Sequence, residues 1–284
     1  MGGADRDADG EGLRRHFEIE RELANRLRVA SKEERRTLYT EIYEELFRRV
    51  EMPADSEAQR AQVGLLLELV APFVEGRTTF LEIGAGRCDL SLALAQRLDR
   101  VWAVDAVDPG LPSGSTPPGF SFVAARDVLA LVPKGGVDVA LSCHFVEHLH
   151  PDDLADHLVE VFDLLAEDGV YLVVTPNRIY GPHDISRGFS DRAVGLHLRE
   201  YTHADLADGL RRAGFGEVRA IRRPGQPPRA GRLGAIGAVE RVLDALPARW
   251  RRVLLSGVSR QAPFRPLEQV KLAGFKARRR GGPR

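Results

Sequence analysis

The segment Phe80-Leu81-Glu82-Ile83-Gly84-Ala85-Gly86 constrains this chain more than any other. It reads as a short β-run entering a glycine turn, and helical spacing follows as far as Leu98. Glycine lets the backbone approach a ligand closely, and a helix start offers unpaired N–H groups. A GxG turn alone is weak evidence. Here the next apolar run, 101–104, is followed by Asp105. An acid about 20 residues past such a turn is placed to hold ribose hydroxyls. A dinucleotide would want a third glycine, and Asp89 stands at that position. An acid there opposes a pyrophosphate, so the turn suits a cofactor with a ribose and no phosphate.

The rest of the chain supplies the rhythm of an α/β fold. Runs at 79–83, 101–104, 120–123, 137–141, 170–174, 218–221 and 270–275 read as seven strands. Helical stretches lie between them. One starts from Pro151, with Leu154, Leu158, Val161 and Leu165 as its buried stripe. Another is capped by Thr202 with Asp205 and ends near Gly214. Ahead of Thr79, apolar residues keep helical spacing at Leu13 and Phe17, at Ile19, Leu23 and Leu27, and at Leu38, Ile42, Leu46 and Val50. Ser31 and Glu34 form a capping box, and a third helix is expected over 57–74. The pattern predicts a mostly parallel sheet with helices on both faces. It divides the chain into a disordered start (1–10), a helical N-terminal cap (11–76), a core (77–223), an amphipathic helical insertion (224–266), a final strand (267–276) and a basic tail (277–284).

These pieces together resemble the class I S-adenosylmethionine-dependent methyltransferases of the small-molecule (methyltransferase 11/23-like) type. The resemblance rests on Glu82 to Gly86, Asp105, Arg126-Asp127 after the third strand, the run Ser142 to Leu149 after the fourth, and Thr175-Pro176-Asn177-Arg178 after the fifth. It covers about residues 77–222. It implies a Rossmann-like seven-stranded sheet ending in an antiparallel hairpin, and S-adenosyl-L-methionine as cofactor. Gly84 and Gly86 would line the methionine part, Asp105 would hold the ribose, and Asp127 would meet the adenine amino group. Glu82, Ala85, Ala106, Arg126, Ser142 and Cys143 complete the expected cofactor-binding set. Cys88 reads as a small packed residue rather than a nucleophile.

Ligands of open α/β sheets bind at the carboxyl ends of the strands. The acceptor should therefore meet His144, Glu147, His148 and His150 after the fourth strand, and the long polar run 177–187, continued by 197–201, after the fifth. Loops of that length often act as lids. Methyl transfer is a displacement in which positioning dominates, and an oxygen acceptor also gains from a general base. His148 and His183 are the candidates; the alternative is that each ring merely hydrogen-bonds its own loop. His144, Glu147 and His148 follow an HxxEH spacing, with His197 further on. That is similar to metal-dependent small-RNA 2′-O-methyltransferases, which carry ExxEH, and to some quinone O-methyltransferases. His144 departs from their pattern, and no metal is assigned.

Charge distribution bears on partners. Lys+Arg and Asp+Glu are both 41. Residues 221–284 nevertheless hold 16 basic and 3 acidic residues, an excess of 13 positive charges that the preceding 220 residues cancel. Such asymmetry hints at an anionic neighbour. The insertion accordingly has several readings: a roof for the site, a homodimer contact, peripheral contact with an anionic surface through 229–280, or an ordinary helical cover. Aromatic residues for base stacking are sparse there, which disfavours nucleic acid. Two cysteines fit a reducing compartment, no signal peptide or membrane span is readable, and a cytoplasmic location is expected. The expected activity is methyl transfer to a small-molecule, sugar or glycan-linked acceptor, with oxygen favoured. The alternatives are a metal-assisted RNA 2′-O-methyltransferase and a non-catalytic S-adenosylmethionine-binding module.

Overall fold

The structure is a computed structural model that describes residues 4–50, 57–112, 114–125, 128–221, 225–226, 233–247, 250–251, 253–255 and 268–277. Three helices come first: α1 (Ala4–Val29), α2 (Lys32–Arg49) and α3 (Glu57–Val74). α1 reaches back to Ala4, so helix extends into the stretch expected to be disordered. The amphipathic residues beyond Leu13 nucleate it, and propagation outward costs less than nucleation. Ser31 and Glu34 form the expected capping box on α2. Ile19, Leu23 and Leu27 of α1 pack against Ile42 and Leu46 of α2, and Leu196 from a distant loop joins them.

The core follows as β1 (Thr79–Ile83), α4 (Asp89–Leu94), β2 (Arg100–Asp105), β3 (Phe120–Ala124), α5 (Val128–Leu131), β4 (Val137–Cys143), α6 (Leu154–Leu164), β5 (Leu165–Pro176), α7 (His203–Arg212), β6 (Glu217–Ala220), α8 (Leu233–Asp244) and β7 (Gln269–Phe275). The sheet runs β3-β2-β1-β4-β5-β7-β6. Its first five strands are parallel, and β7 pairs antiparallel with both β5 and β6. This is the expected seven-stranded α/β sheet with its antiparallel end. One face is covered by α3 and α4, with Leu69, Val70, Phe73, Leu90 and Leu94 against Phe80, Val139, Leu141 and Leu172. The other carries α6 and α7, with Leu158, Val161, Leu206 and Leu210 against Leu81, Ala140, Tyr171 and Val173.

Three local expectations change. α4 stops at Leu94, four residues before Leu98. Pro151 lies in a turn ahead of α6 rather than at its first helical position. Asp153 precedes the helix, and its carboxylate meets the Arg35 guanidinium instead of capping. β5 begins at Leu165, five residues early, and a register shift between Val137 and Val139 accommodates the extra length. Asp168, with φ +63°, and Gly169 lie inside that strand.

The insertion is represented by α8 and by helical residues at 250–251 and 253–255. α8 packs on α7 and on the segment after β5. The Glu240 carboxylate is buried and accepts from His203 Nδ1 and Asn177 Nδ2, each at 2.7 Å. Asp244 receives two hydrogen bonds from Arg178 at 2.9 Å. The basic tail beyond Ala277 lies outside the described residues. Among the described residues no helix is long and apolar enough to cross a membrane.

Candidate active site

β1 delivers the chain to Gly84, and the turn is held by the end of β2. Gly84 and Ala85 N–H donate to the Val104 carbonyl at 2.9 and 3.0 Å. Gly86 N–H donates to Asp105 Oδ2 at 2.7 Å, and Val107 N–H reaches Oδ1 at 3.3 Å. Gly84 and Gly86 have φ of +74° and +50°, which side chains resist. A Cβ on Gly84 would lie 2.8 Å from the Phe145 ring, whereas the space above Gly86 is open. The turn is thus closed on one side by Phe145 and free on the other for a ligand.

The acids around the turn crowd each other. Glu82 is buried and accepts from the Ser91 N–H and hydroxyl. Burial pushes its carboxyl up to about 7, with the charges of Asp105 and Asp89 adding and the Ser91 hydrogen bonds opposing. A cation or hydroxyl-rich ligand beside these acids relieves the strain, and a phosphate would add to it. The residues present therefore fit a sulfonium nucleoside. Cys88 is fully buried and its thiol is pushed up to about 12 by burial, as suits a packing residue. Ala85 is buried and Ala106 half-buried beside Asp105. The Ser142 hydroxyl is buried and hydrogen-bonded to the Tyr171 hydroxyl at 2.7 Å. Cys143 is half-buried at the carboxyl end of β4. Arg126 and Asp127 lie outside the described residues.

After β4 the chain makes a 3-10 turn, Val146–His148, and brings three rings around one carboxylate. Glu147 is fully buried. Its Oε1 lies 3.3 Å from His144 Nδ1, and its Oε2 accepts from the Thr175 hydroxyl at 2.8 Å. Burial alone would raise this carboxyl, but the His144 hydrogen bond and the surrounding histidines outweigh it and hold the group at about 2. His148 Nδ1–H donates to the Leu196 carbonyl at 3.1 Å, which leaves Nε2 with its lone pair. Burial holds His148 down at about 4. His197 lies edge-on to it, with ring centroids 4.9 Å apart, and its Nδ1 is 2.9 Å from Glu200 Oε1. Burial opposes protonation of His197, but Glu200 and Glu147 outweigh it and raise the ring.

One ligand atom each from Glu147, His148 and His197 lie within 4.8 Å of one another, a set that could hold a metal ion. His144 is not part of that set. His183 stands apart from it: its Nε2–H donates to the Asn177 carbonyl at 3.0 Å, and its backbone N–H donates to Glu200 at 2.6 Å. Its ring ties the loop after β5 together. His150 is also outside the set: its ring Nδ1 accepts from the Asp152 N–H at 3.3 Å, and its backbone N–H donates to the Tyr39 hydroxyl of α2 at 2.7 Å.

Tyr43 of α2 is a site residue that sequence reasoning missed. Its ring meets His148 edge-on at 6.1 Å. Its hydroxyl is raised well above its ordinary value by burial, and the charges of Asp105 and Glu147 both add to that. Tyr43 therefore packs beside the histidine cluster, within electrostatic reach of Asp105. The four-residue spacing of Tyr39, Tyr43 and Phe47 was the available signal for an aromatic face.

Residues 32–219 match the model of the methyltransferase domain family. The chain belongs to the S-adenosylmethionine-dependent methyltransferases. A Mycolicibacterium smegmatis relative, described as a probable S-adenosylmethionine-dependent methyltransferase, is 38% identical over 84 residues, which is 30% of each chain. The match therefore spans under a third of that relative. A solved S-adenosylmethionine-dependent methyltransferase from Archaeoglobus fulgidus superposes with a TM-score of 0.51 at 19% identity, covering 84% of this chain and all of the other. That likeness concerns the fold.

Proposed function

We propose that this methyltransferase transfers the methyl group to an oxygen of a small-molecule, sugar or glycan-linked acceptor, with His148 as general base. The observation that carries the reading is the His148 imidazole: neutral, fixed by Leu196 through Nδ1, with Nε2 unprotonated beside a buried carboxylate. Bound S-adenosylmethionine supplies an electrophilic methyl on its sulfonium. Asp105 and the Gly84–Gly86 turn hold the nucleoside and methionine ends, and Glu82 offsets positive charge. With the cofactor bound, His148 Nε2 would take the proton of the acceptor hydroxyl whose oxygen attacks the sulfonium methyl, with S-adenosylhomocysteine as leaving group. Glu147 then stabilises the resulting imidazolium by its charge. Tyr43 covers the cleft and limits water. His183 is the weaker candidate, because its ring already holds the loop.

The test is S-adenosylhomocysteine release, followed by mass spectrometry, over matched alcohol, phenol and amine acceptors. Turnover confined to hydroxyl compounds, and lowered by His148→Ala, supports the reading. Methylation of amines alone, or full activity of His148→Ala on hydroxyls, sinks it.

A further inference from the structure

The chain has four lysines. Lys32 meets Asp156, Lys134 meets Asp163, and Lys276 donates to the Phe162 and Leu165 carbonyls. Lys271 differs. It lies in β7 and is half-buried, and among the described residues its ammonium has no hydrogen-bond or ion-pair partner. Burial draws it below its ordinary value, and the group whose charge acts on it is the Cys143 thiol rather than a carboxylate. That thiol is itself pushed up to about 12, chiefly by burial, so it is neutral at ordinary pH. A half-buried cation with no counter-charge among the described residues is costly to keep.

Register places this cation on the acceptor side. Lys271 pairs with Val174, and Val174 pairs with Cys143, so the three form one row at the carboxyl edge of β4 and β5. Paired residues share a face of a sheet, as do residues two apart. Glu82 belongs to the next row down, through Leu141, Leu172 and Ala273, and shares that face. Gln269, two residues before Lys271, has its side-chain nitrogen 3.5 Å from His144 Nε2. His144 in turn meets Glu147. The edge that carries Lys271 thus touches the histidine cluster through Gln269 and His144. It lies three strands from the glycine turn on β1, a lateral distance of about 14 Å at ordinary strand spacing.

We propose that Lys271 recognises an anionic group, a carboxylate or phosphate, on the methyl acceptor. Gln269 and His144 line the path between that anion and the reacting oxygen. The proposal rests on the methyl-transfer reading above and narrows its substrate class. A carboxylate is also present on the methionine end of the cofactor, so the experiment separates the two sources.

Calorimetry on the full chain has two arms. The first titrates S-adenosylhomocysteine into wild type, Lys271→Met and Lys271→Arg. The second titrates benzoate, phenyl phosphate and neutral benzyl alcohol into each protein, with and without saturating S-adenosylhomocysteine. The expected result is cofactor-product affinity within about twofold in all three proteins, and wild type preferring an anionic probe at least roughly tenfold over the alcohol. Lys271→Met should lose that preference and Lys271→Arg should keep it. The proposal is overturned if wild type treats anion and alcohol alike, if neither binds at roughly 10 mM, or if Lys271→Met keeps the preference. Roughly tenfold weaker S-adenosylhomocysteine binding in Lys271→Met would assign the lysine to the cofactor carboxylate and overturn it too. Failure of wild type to bind S-adenosylhomocysteine would sink the methyl-transfer reading, while the cofactor-free probe arm still reports on Lys271.

Discussion

Arg35 reaches Asp153 with two guanidinium nitrogens, Nε and Nη2, each 2.7 Å from a different carboxylate oxygen. The arginine side chain is 4% exposed and the aspartate 17%. Tyr39 donates to the same carboxylate at 3.1 Å and accepts from the His150 N–H. α2 is thereby clamped to the segment that follows the histidine cluster. Removing one partner of a buried, bidentate pair leaves the other uncompensated. Arg35→Met is expected to cost about 2–3 kcal/mol, discounted from the fully buried range because Asp153 keeps some solvent. The denaturation midpoint in urea reads this directly. A shift below about 0.5 kcal/mol would show the clamp to be a surface pair.

Asp105 organises the glycine turn and, in the proposed reading, holds the ribose. Asp105→Ala removes an acceptor from the Gly86 N–H and a charge from that proposed ribose site. S-adenosylhomocysteine affinity should fall between about 10-fold and 100-fold, in keeping with the loss of charged hydrogen bonds. Calorimetric binding checks it, and an unchanged dissociation constant would remove Asp105 from the site.

His148 carries two linked pH expectations. Because burial holds its folded value at about 4, the neutral base persists well below the ordinary 6.5. The acid limb of kcat should therefore lie nearer pH 4 than pH 6.5. A folded value depressed below the unfolded one means the unfolded chain binds more protons between these limits. Stability should fall as pH drops from 6.5 to about 4, and this contribution then levels off. His157, whose value burial also lowers to about 4, acts in the same direction. Profiles of kcat and of thermal midpoint against pH test both. His148→Ala should lower kcat by about 10²–10⁴ while leaving S-adenosylhomocysteine binding intact. His183→Ala should act mainly through loop stability.

Chelation distinguishes a proton-transfer cluster from a metal centre. Glu147 already spends one oxygen on Thr175 and the other on His144. Dialysis against EDTA should leave turnover unchanged. Activity lost on dialysis and restored by zinc or manganese would assign Glu147, His148 and His197 as ligands instead.

What could be read from the sequence was whatever is local. Ser31 with Glu34 and Thr202 with Asp205 form their capping boxes between residues three apart, and both occur as expected. The glycine turn needs seven consecutive residues and one acid beyond them. The strands of the parallel sheet, buried on both faces, announce themselves as apolar runs. Contacts across long separations left no such trace. Arg35 and Asp153 are 118 positions apart, and Leu196 enters the core of a helical pair that ends at Arg49. The buried Glu240 meets His203 and Asn177, 37 and 63 positions away. Ser142, expected just after the fourth strand, lies within β4, and its hydroxyl turns inward to Tyr171, 29 positions away.

The place of β7 between β5 and β6 bears on how the polypeptide is made. Ribosomes extend the chain from the N-terminus, and early parts fold first. β1 to β4 and the glycine turn can pair while the later residues are still being added. β5 and β6 have no shared ladder until β7 arrives between them. The nascent chain can thus close its nucleoside half early, whereas the wall that carries Lys271 and Gln269 is laid last.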